Sequence, residues 1–176
     1  FELGVAEGPS KNHLKAFIAR VKNEKRSLLT EAESKEFLIT YGIDATMPSL
    51  AQTSEEAMRH AGEIGYPVVL KIVSPGITHK TDVGGIRTGI RDRSELAEAY
   101  TGIMRAVKER APDAPITGIS VQKMIGGIDW ELIVGAKKDK DFGTVILFGM
   151  GGIGTEVFKD VSSGLPPPNQ IIARRL

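Results

Sequence analysis

Apolar residues Leu14, Phe17, Ile18 and Val21 recur at helical spacing within residues 12–25, between basic positions. The spacing predicts a lead-in helix whose basic face is solvated. Thr30 is followed three residues later by Glu33, a capping-box pair whose side chains satisfy free N–H groups at a helix start. It predicts a helix through Tyr41, ended by Gly42. Residues 45–51 predict a short strand, and Thr53 or Ser54 caps a helix over 55–64, closed by Gly65. The run PVVLKIV at 67–73 is the clearest strand. A loop with Pro75, Gly76, Gly84 and Gly85 follows, and 86–90 return as a strand. Ser94 is the expected cap of a long helix reaching about Arg110.

Beyond Pro112 and Pro115 the pattern changes from helix between strands to strand-turn-strand. Strands are expected at 117–124, 130–137 and 144–148, with turns at Gly126-Gly127 and at 139–141 and a glycine loop at 149–154. The order predicts an α+β protein of two lobes meeting near Thr117, with mainly antiparallel strands in the second. The expected divisions are a lead-in helix and linker at 1–29, a first lobe at 30–116 and a second lobe at 117–176. No internal repeat is seen.

Composition narrows the function classes. A net charge of +1 over 176 residues lacks the concentrated positive charge that phosphate-backbone binding needs, so no nucleic-acid partner is expected. No apolar run approaches the roughly 20 residues of a membrane helix, so no membrane association is expected. The chain has no cysteine, which excludes disulfides and thiolate metal sites and suits a reducing cytoplasm. A chain opening on Phe1 rather than Met is expected to be a piece of something longer.

Several residues have chemical potential. Lys71 shares a strand face with Val69 and Val73, and a buried ammonium needs an anionic partner. A nucleotide phosphate is one such partner; an edge-strand lysine that deters aggregation is the alternative. His79 stands in a loop with glycines at both ends. Imidazole is a competent nucleophile near neutral pH. Lys80 beside it can offset phosphate charge, and Asp82 can orient the ring; a solvated loop histidine is the alternative. His13 and His60, in helical stretches, read as surface residues. Residues 149–154, GMGGIG, match G-x-G-x-x-G after a strand. A dinucleotide fold needs a helix next and an acidic residue about 20 positions on. Three prolines and Arg174-Arg175 stand there instead, so that reading is rejected, while Gly151 and Gly152 can still offer N–H groups to an anion. Gln122, Lys123, Met124 and Ile125 end one strand, where backbone groups can read an adenine edge. Glu131 on the next strand can accept from ribose hydroxyls or help hold a metal; an ordinary hairpin with a polar rim is the alternative.

Taken together, LTEAESKEFLITYGI, GYPVVLKIVSPGITHKTDVGGI and ELIVGAKKDKDFGTVILFGMGGIGTEVFKDV resemble the ATP-grasp region of NDP-forming acyl-CoA synthetases, from about Leu28 onward. The resemblance implies an ATP-grasp fold, ATP or ADP as nucleotide, and Mg2+ in the complete protein. It also implies a reversible reaction in which acyl-CoA, phosphate and ADP give carboxylate, CoA and ATP. In it, His79 is the loop phosphohistidine, Lys71 grips nucleotide phosphates, residues 122–125 hold adenine, and Glu131 is the ribose- or metal-side carboxylate. The principal metal ligands of the family are expected beyond Leu176, so these residues alone are expected to bind nucleotide weakly and to be inactive. The CoA-binding and ligase domains are expected in the same parent chain or a partner subunit. The ending SSGLPPPNQIIARRL also resembles the corresponding region of multidomain protein acetyltransferases, where an acyl-CoA-sensing regulatory role is the alternative.

Overall fold

The computed structural model describes residues 11–152 and 161–166. Gly154, Arg174, Arg175 and the end of the proline run lie outside these residues, as does the His13 side chain. The elements are α1 (Lys11–Asn23), α2 (Glu31–Thr40), β1 (Ser49–Ala51), α3 (Ser54–Ile64), β2 (Val68–Val73), β3 (Ile86–Ile90), α4 (Arg93–Arg110), β4 (Gly118–Lys123), β5 (Leu132–Asp139), β6 (Gly143–Met150) and β7 (Val161–Gly164). The chain divides into two compact units, residues 1–124 and 125–176.

In the first unit a four-stranded sheet has the order β1-β4-β2-β3, with every pairing antiparallel. Burial alternates along β2: Val68, Leu70 and Ile72 are inaccessible, whereas Val69, Lys71 and Val73 are half-buried. The period-2 geometry of a strand puts the first three on one face with Ile119 and Val121 of β4. This face forms the core with Ala57 and Ala61 of α3 and with Leu96, Ile103 and Val107 of α4. Thr30 caps α2 through the full reciprocal box with Glu33, Thr53 caps α3, and Gly65 ends α3 at φ +82°. At the start of α4 the cap is Asp92 and not Ser94: its carboxylate accepts the Glu95 N–H at 2.9 Å. Either residue type can cap a helix, so spacing alone could not choose.

The lead-in helix belongs to the first unit. Leu14, Phe17 and Val21 are buried, while Ile18, expected beside them, is 43% exposed. Phe17 meets Phe37 of α2 with ring centroids 6.3 Å apart, and Arg26 donates to both oxygens of Glu33. The division at Met124 falls later than the expected one near Thr117, because β4 is an interior strand of the first sheet.

In the second unit β5, β6 and β7 form an antiparallel sheet in that order. The β5–β6 hairpin turns where the Asp139 carboxylate accepts the N–H groups of Asp141 and Phe142 at 2.9 and 3.0 Å. Gly149 and Met150, expected in the glycine loop, are the last residues of β6. β7 was not predicted: VSSG carries neither alternation nor β-branched bulk beyond its first residue.

Candidate functional site

On the sheet face opposite the core, β2 and β4 bring Lys71 opposite Ser120 and Val69 opposite Gln122. The edge-strand alternative for Lys71 fails, because β2 runs between β4 and β3. The anionic partner that burial demanded is the Glu31 carboxylate, whose Oε1 accepts from Lys71 Nζ at 2.9 Å. Gln122, 3% exposed, donates its amide to the same oxygen at 3.1 Å. Lys35 Nζ reaches that oxygen too, at 2.9 Å, and donates to Gln122 Oε1 at 2.6 Å and Thr46 Oγ1 at 3.3 Å. Burial works against ionisation of Glu31, yet hydrogen bonds from Lys35, Lys71 and Gln122 prevail and bring its pKa down to about 2.

Glu31, Lys35 and Thr46 were missed by sequence reasoning. By itself the segment TEAESK signals only a helix start. Its i, i+4 Glu-Lys pair is an ordinary surface feature until a sheet lies against it.

The loop between β2 and β3 is fixed at several points. Ile77 is buried in the core, and the Gly85 N–H donates to the Lys80 carbonyl at 2.8 Å. A Cβ at Gly85 would collide with Ile72 Cγ2 and come within 2.9 Å of the Lys80 carbonyl oxygen, so this exit requires glycine. Arg110, from the last turn of α4, donates to the Asp82 carbonyl at 3.3 Å. Between these anchors Thr78 and His79 are exposed, and Lys80 is half-buried. The Asp82 side chain makes no hydrogen bond to His79 among the described residues, so the expected ring-orienting role is not seen. His60 lies half-buried on α3, its Nδ1 3.6 Å from Glu63.

The residues expected to hold adenine divide. Gln122 joins the Glu31 cluster. Lys123 falls on the alternate face of β4, and its amine donates to the carbonyls of Gly65 at 2.9 Å and Tyr66 at 3.3 Å. Its side chain therefore braces the end of α3. The Met124 N–H is committed to the Pro67 carbonyl at 3.1 Å. Ile125, which opens the second unit, is 60% exposed.

Within the second unit the sequence-predicted Glu131, Gly151 and Gly152 come together. Leu132 pairs with Met150, and the Gly151 N–H donates to the Glu131 carbonyl at 2.7 Å. The Glu131 carboxylate lies against Gly152: a Cβ there would stand 2.7 Å from Oε2. Among the described residues no three His, Asp or Glu side chains converge as a metal site. None of the described helices is long and apolar enough to cross a membrane.

Set beside known proteins, the chain is 43% identical over 150 residues to the acetate–CoA ligase (ADP-forming) I subunit beta of Pyrococcus furiosus, matching 85% of this chain and 64% of that subunit. It is 46% identical over 136 residues to the acetate–CoA ligase (ADP-forming) I of Archaeoglobus fulgidus, matching 77% of this chain and 20% of that protein. A solved structure of the dinucleotide-forming acetyl-coenzyme A synthetase 1 of Ca. Korarchaeum cryptofilum, in complex with coenzyme A, Ca-AMPCP and HgCl+, superposes with a TM-score of 0.85 at 41% identity. The match covers 92% of this chain and 70% of that one. Another structure of that synthetase, with coenzyme A and Mg-AMPPCP, has its phosphohistidine segment pointing towards the nucleotide binding site; here the TM-score is 0.75 at 36% identity, covering 92% and 68%. The model of the ATP-grasp domain matches residues 20–176. With nearly the whole chain so matched, and with both expected sheets in place, the protein belongs to the ATP-grasp family.

Proposed function

We propose that this chain is the nucleotide-handling part of an NDP-forming acyl-CoA synthetase, with His79 as phosphoryl carrier. The overall reaction converts acyl-CoA, phosphate and ADP into carboxylate, CoA and ATP. Phosphate displaces CoA to give an acyl phosphate, and a histidine of the CoA-binding part takes the phosphoryl group as carboxylate leaves. An imidazole nitrogen of His79 takes it next, forming a P–N bond. That bond breaks when the β-phosphate oxygen of ADP attacks the same phosphorus. The CoA-binding and ligase domains are partners in the same chain or another subunit, in a cytoplasmic setting.

The observation that carries this reading is an exposed His79, with no hydrogen-bond or ion-pair partner among the described residues, on an anchored loop in a chain 43% identical to a subunit of an ADP-forming ligase. A carrier has to present its nitrogen to two sites, and Thr78-His79 is the stretch of the loop left free of the anchors. Lys71 supplies positive charge for nucleotide phosphates, and Lys80 does so beside the histidine; phosphoryl transfer rests mainly on such positioning and neutralisation. Glu131, with Gly151 and Gly152, supports a role beside ribose or metal. Mg2+ would neutralise phosphate charge when bound. Among the described residues no three His, Asp or Glu side chains gather as a magnesium site by themselves.

The test is labelling of the full-length protein with γ-labelled ATP. Acid-labile phosphate is expected on the wild type and absent from His79→Ala in the same full-length protein. Net ATP formation should vanish in His79→Ala and His79→Asn, while adenine-nucleotide affinity stays within about 3-fold, since a carrier does not grip the base. Full turnover by His79→Ala overturns the reading.

A further inference from the structure

The Glu31 cluster explains more than how a half-buried lysine is tolerated. This inference rests on Lys71 as a phosphate-gripping lysine and concerns what sets its ammonium in place. One oxygen, Glu31 Oε1, receives Lys71 Nζ at 2.9 Å, Lys35 Nζ at 2.9 Å and Gln122 Nε2 at 3.1 Å. An ammonium has three donors. Those of Lys35 are all engaged, by Glu31, Gln122 Oε1 and Thr46 Oγ1. Lys71 has a single side-chain acceptor among the described residues, which leaves it two N–H groups.

The charges matter as much as the bonds. Two ammonium groups face one carboxylate, so one positive charge is left over on a half-buried face. A lone Glu31–Lys71 pair would be neutral, and an arriving phosphate would have to break it. Lys35 removes that conflict by offsetting the carboxylate while leaving it in place to hold Lys71. Glu31 is itself held without help from Lys71: it opens α2 beside the Thr30 cap, pairs with Lys35 one turn on, and accepts from the buried Gln122 amide.

We propose that Glu31 and Lys35 are positioning residues for anion capture, Glu31 aiming the Lys71 ammonium and Lys35 keeping the Lys71 charge available to a phosphate-bearing ligand. A flexible lysine fixed before the ligand arrives loses less freedom on binding. Lys35 is thus part of the phosphate grip without touching the phosphate.

Side-chain ammonium NMR on the full-length protein tests this, with calorimetry of ADP and inorganic pyrophosphate. Lys71→Arg assigns the Lys71 signal by its loss. Glu31→Gln keeps the Thr30–Glu33 capping box, so α2 should still form. In the wild type the Lys71 signal should be protected from exchange and should shift when pyrophosphate is added. In Glu31→Gln the protected signal should disappear and pyrophosphate affinity should fall about tenfold. Lys35→Met should retain the signal, because Glu31 remains, yet lose about tenfold in affinity, because the Lys71 charge is now cancelled; Lys35→Arg should recover most of that loss. A protected Lys71 signal in Glu31→Gln, or wild-type affinity in Lys35→Met, overturns the proposal. So does a wild-type Lys71 signal that pyrophosphate leaves unmoved. If pyrophosphate moves it while ADP does not bind, the positioning stands and the nucleotide reading fails.

Discussion

Every second residue of β2 is fully buried, whereas no residue of β5 is. Both strands are interior or hairpin-paired members of antiparallel sheets, and both are rich in Val, Ile and Leu. In the first sheet α3 and α4 cover one face, which fixes Val68, Leu70 and Ile72 as core and leaves Lys71 facing the other way. In the second, Leu132, Ile133 and Val134 are 57%, 45% and 71% exposed, so apolar residues stand open on both faces. Backbone pairing alone sets a register; it takes a covering layer to turn alternation into an inside and an outside. The side chains of the first unit are therefore held by packing, and those of β5 chiefly by the hydrogen-bonded ladder.

The sharpest way to break this comparison is to remove the same kind of side chain from each sheet. Leu70→Ala should cost about 3–5 kcal/mol in chemical denaturation, as methyl groups leave a closed core. Val134→Ala should cost less than about 0.5 kcal/mol, because its side chain is largely in water already. Equal losses would mean that β5 is packed as tightly as β2.

The same contrast separates what was legible in the sequence from what was not. The Thr30 and Thr53 caps, the β2 strand and the β5–β6 hairpin are local events, written in adjacent residues. Lys71 could be singled out because a charge on an apolar strand is a local anomaly. Its partner could not be: Glu31 is 40 residues away and meets it only when α2 lies over the non-core face. The direction of the Lys123 side chain was illegible for a related reason, since alternation along β4 sends its amine to the end of α3 while Gln122 points to the cluster. β7 had no local signal at all; VSSG becomes a strand because β6 offers it an open edge.

Nucleotide affinity offers a second comparison, between the Lys71 face of the first unit and the Glu131 corner of the second. In the full-length protein Lys71→Ala should weaken ADP binding roughly 10- to 100-fold, the equivalent of one charge-assisted hydrogen bond of about 1.5–3 kcal/mol. Glu131→Gln keeps the shape and much of the accepting power of the side chain, so its loss should stay near about 3- to 10-fold. Calorimetry of both variants ranks the two regions. A larger loss at Glu131 would move the centre of nucleotide recognition to the second unit.

The smallest expected effect sets two depressed carboxylates against each other as pH falls. Glu31 has a pKa of about 2 in the folded chain against its ordinary 4.5: desolvation opposes the shift, and the bonds from Lys35, Lys71 and Gln122 outweigh it. Asp139 is also lowered, by the backbone N–H groups of Phe142 and Asp141. For a carboxylate depressed on folding, the unfolded chain binds more protons than the native one between the two pKa values. The stability it gives is thus complete above about pH 4.5 and disappears as pH falls towards 2. With solvent screening allowed for, Glu31 should contribute about 1–2 kcal/mol at neutral pH. Denaturation of wild type and Glu31→Gln from pH 7 to pH 2 should therefore give curves that are separated at neutral pH and converge in acid. Asp139→Asn should show the same direction with a smaller gap, because its turn is at the solvent surface and water can replace what the carboxylate supplies. A gap for Glu31→Gln that is constant with pH would mean that the variant has lost packing and not charge. A gap that widens in acid would mean that the carboxylate is protonated in the native cluster, and the arrangement of two ammonium groups on one ionised oxygen would have to be abandoned.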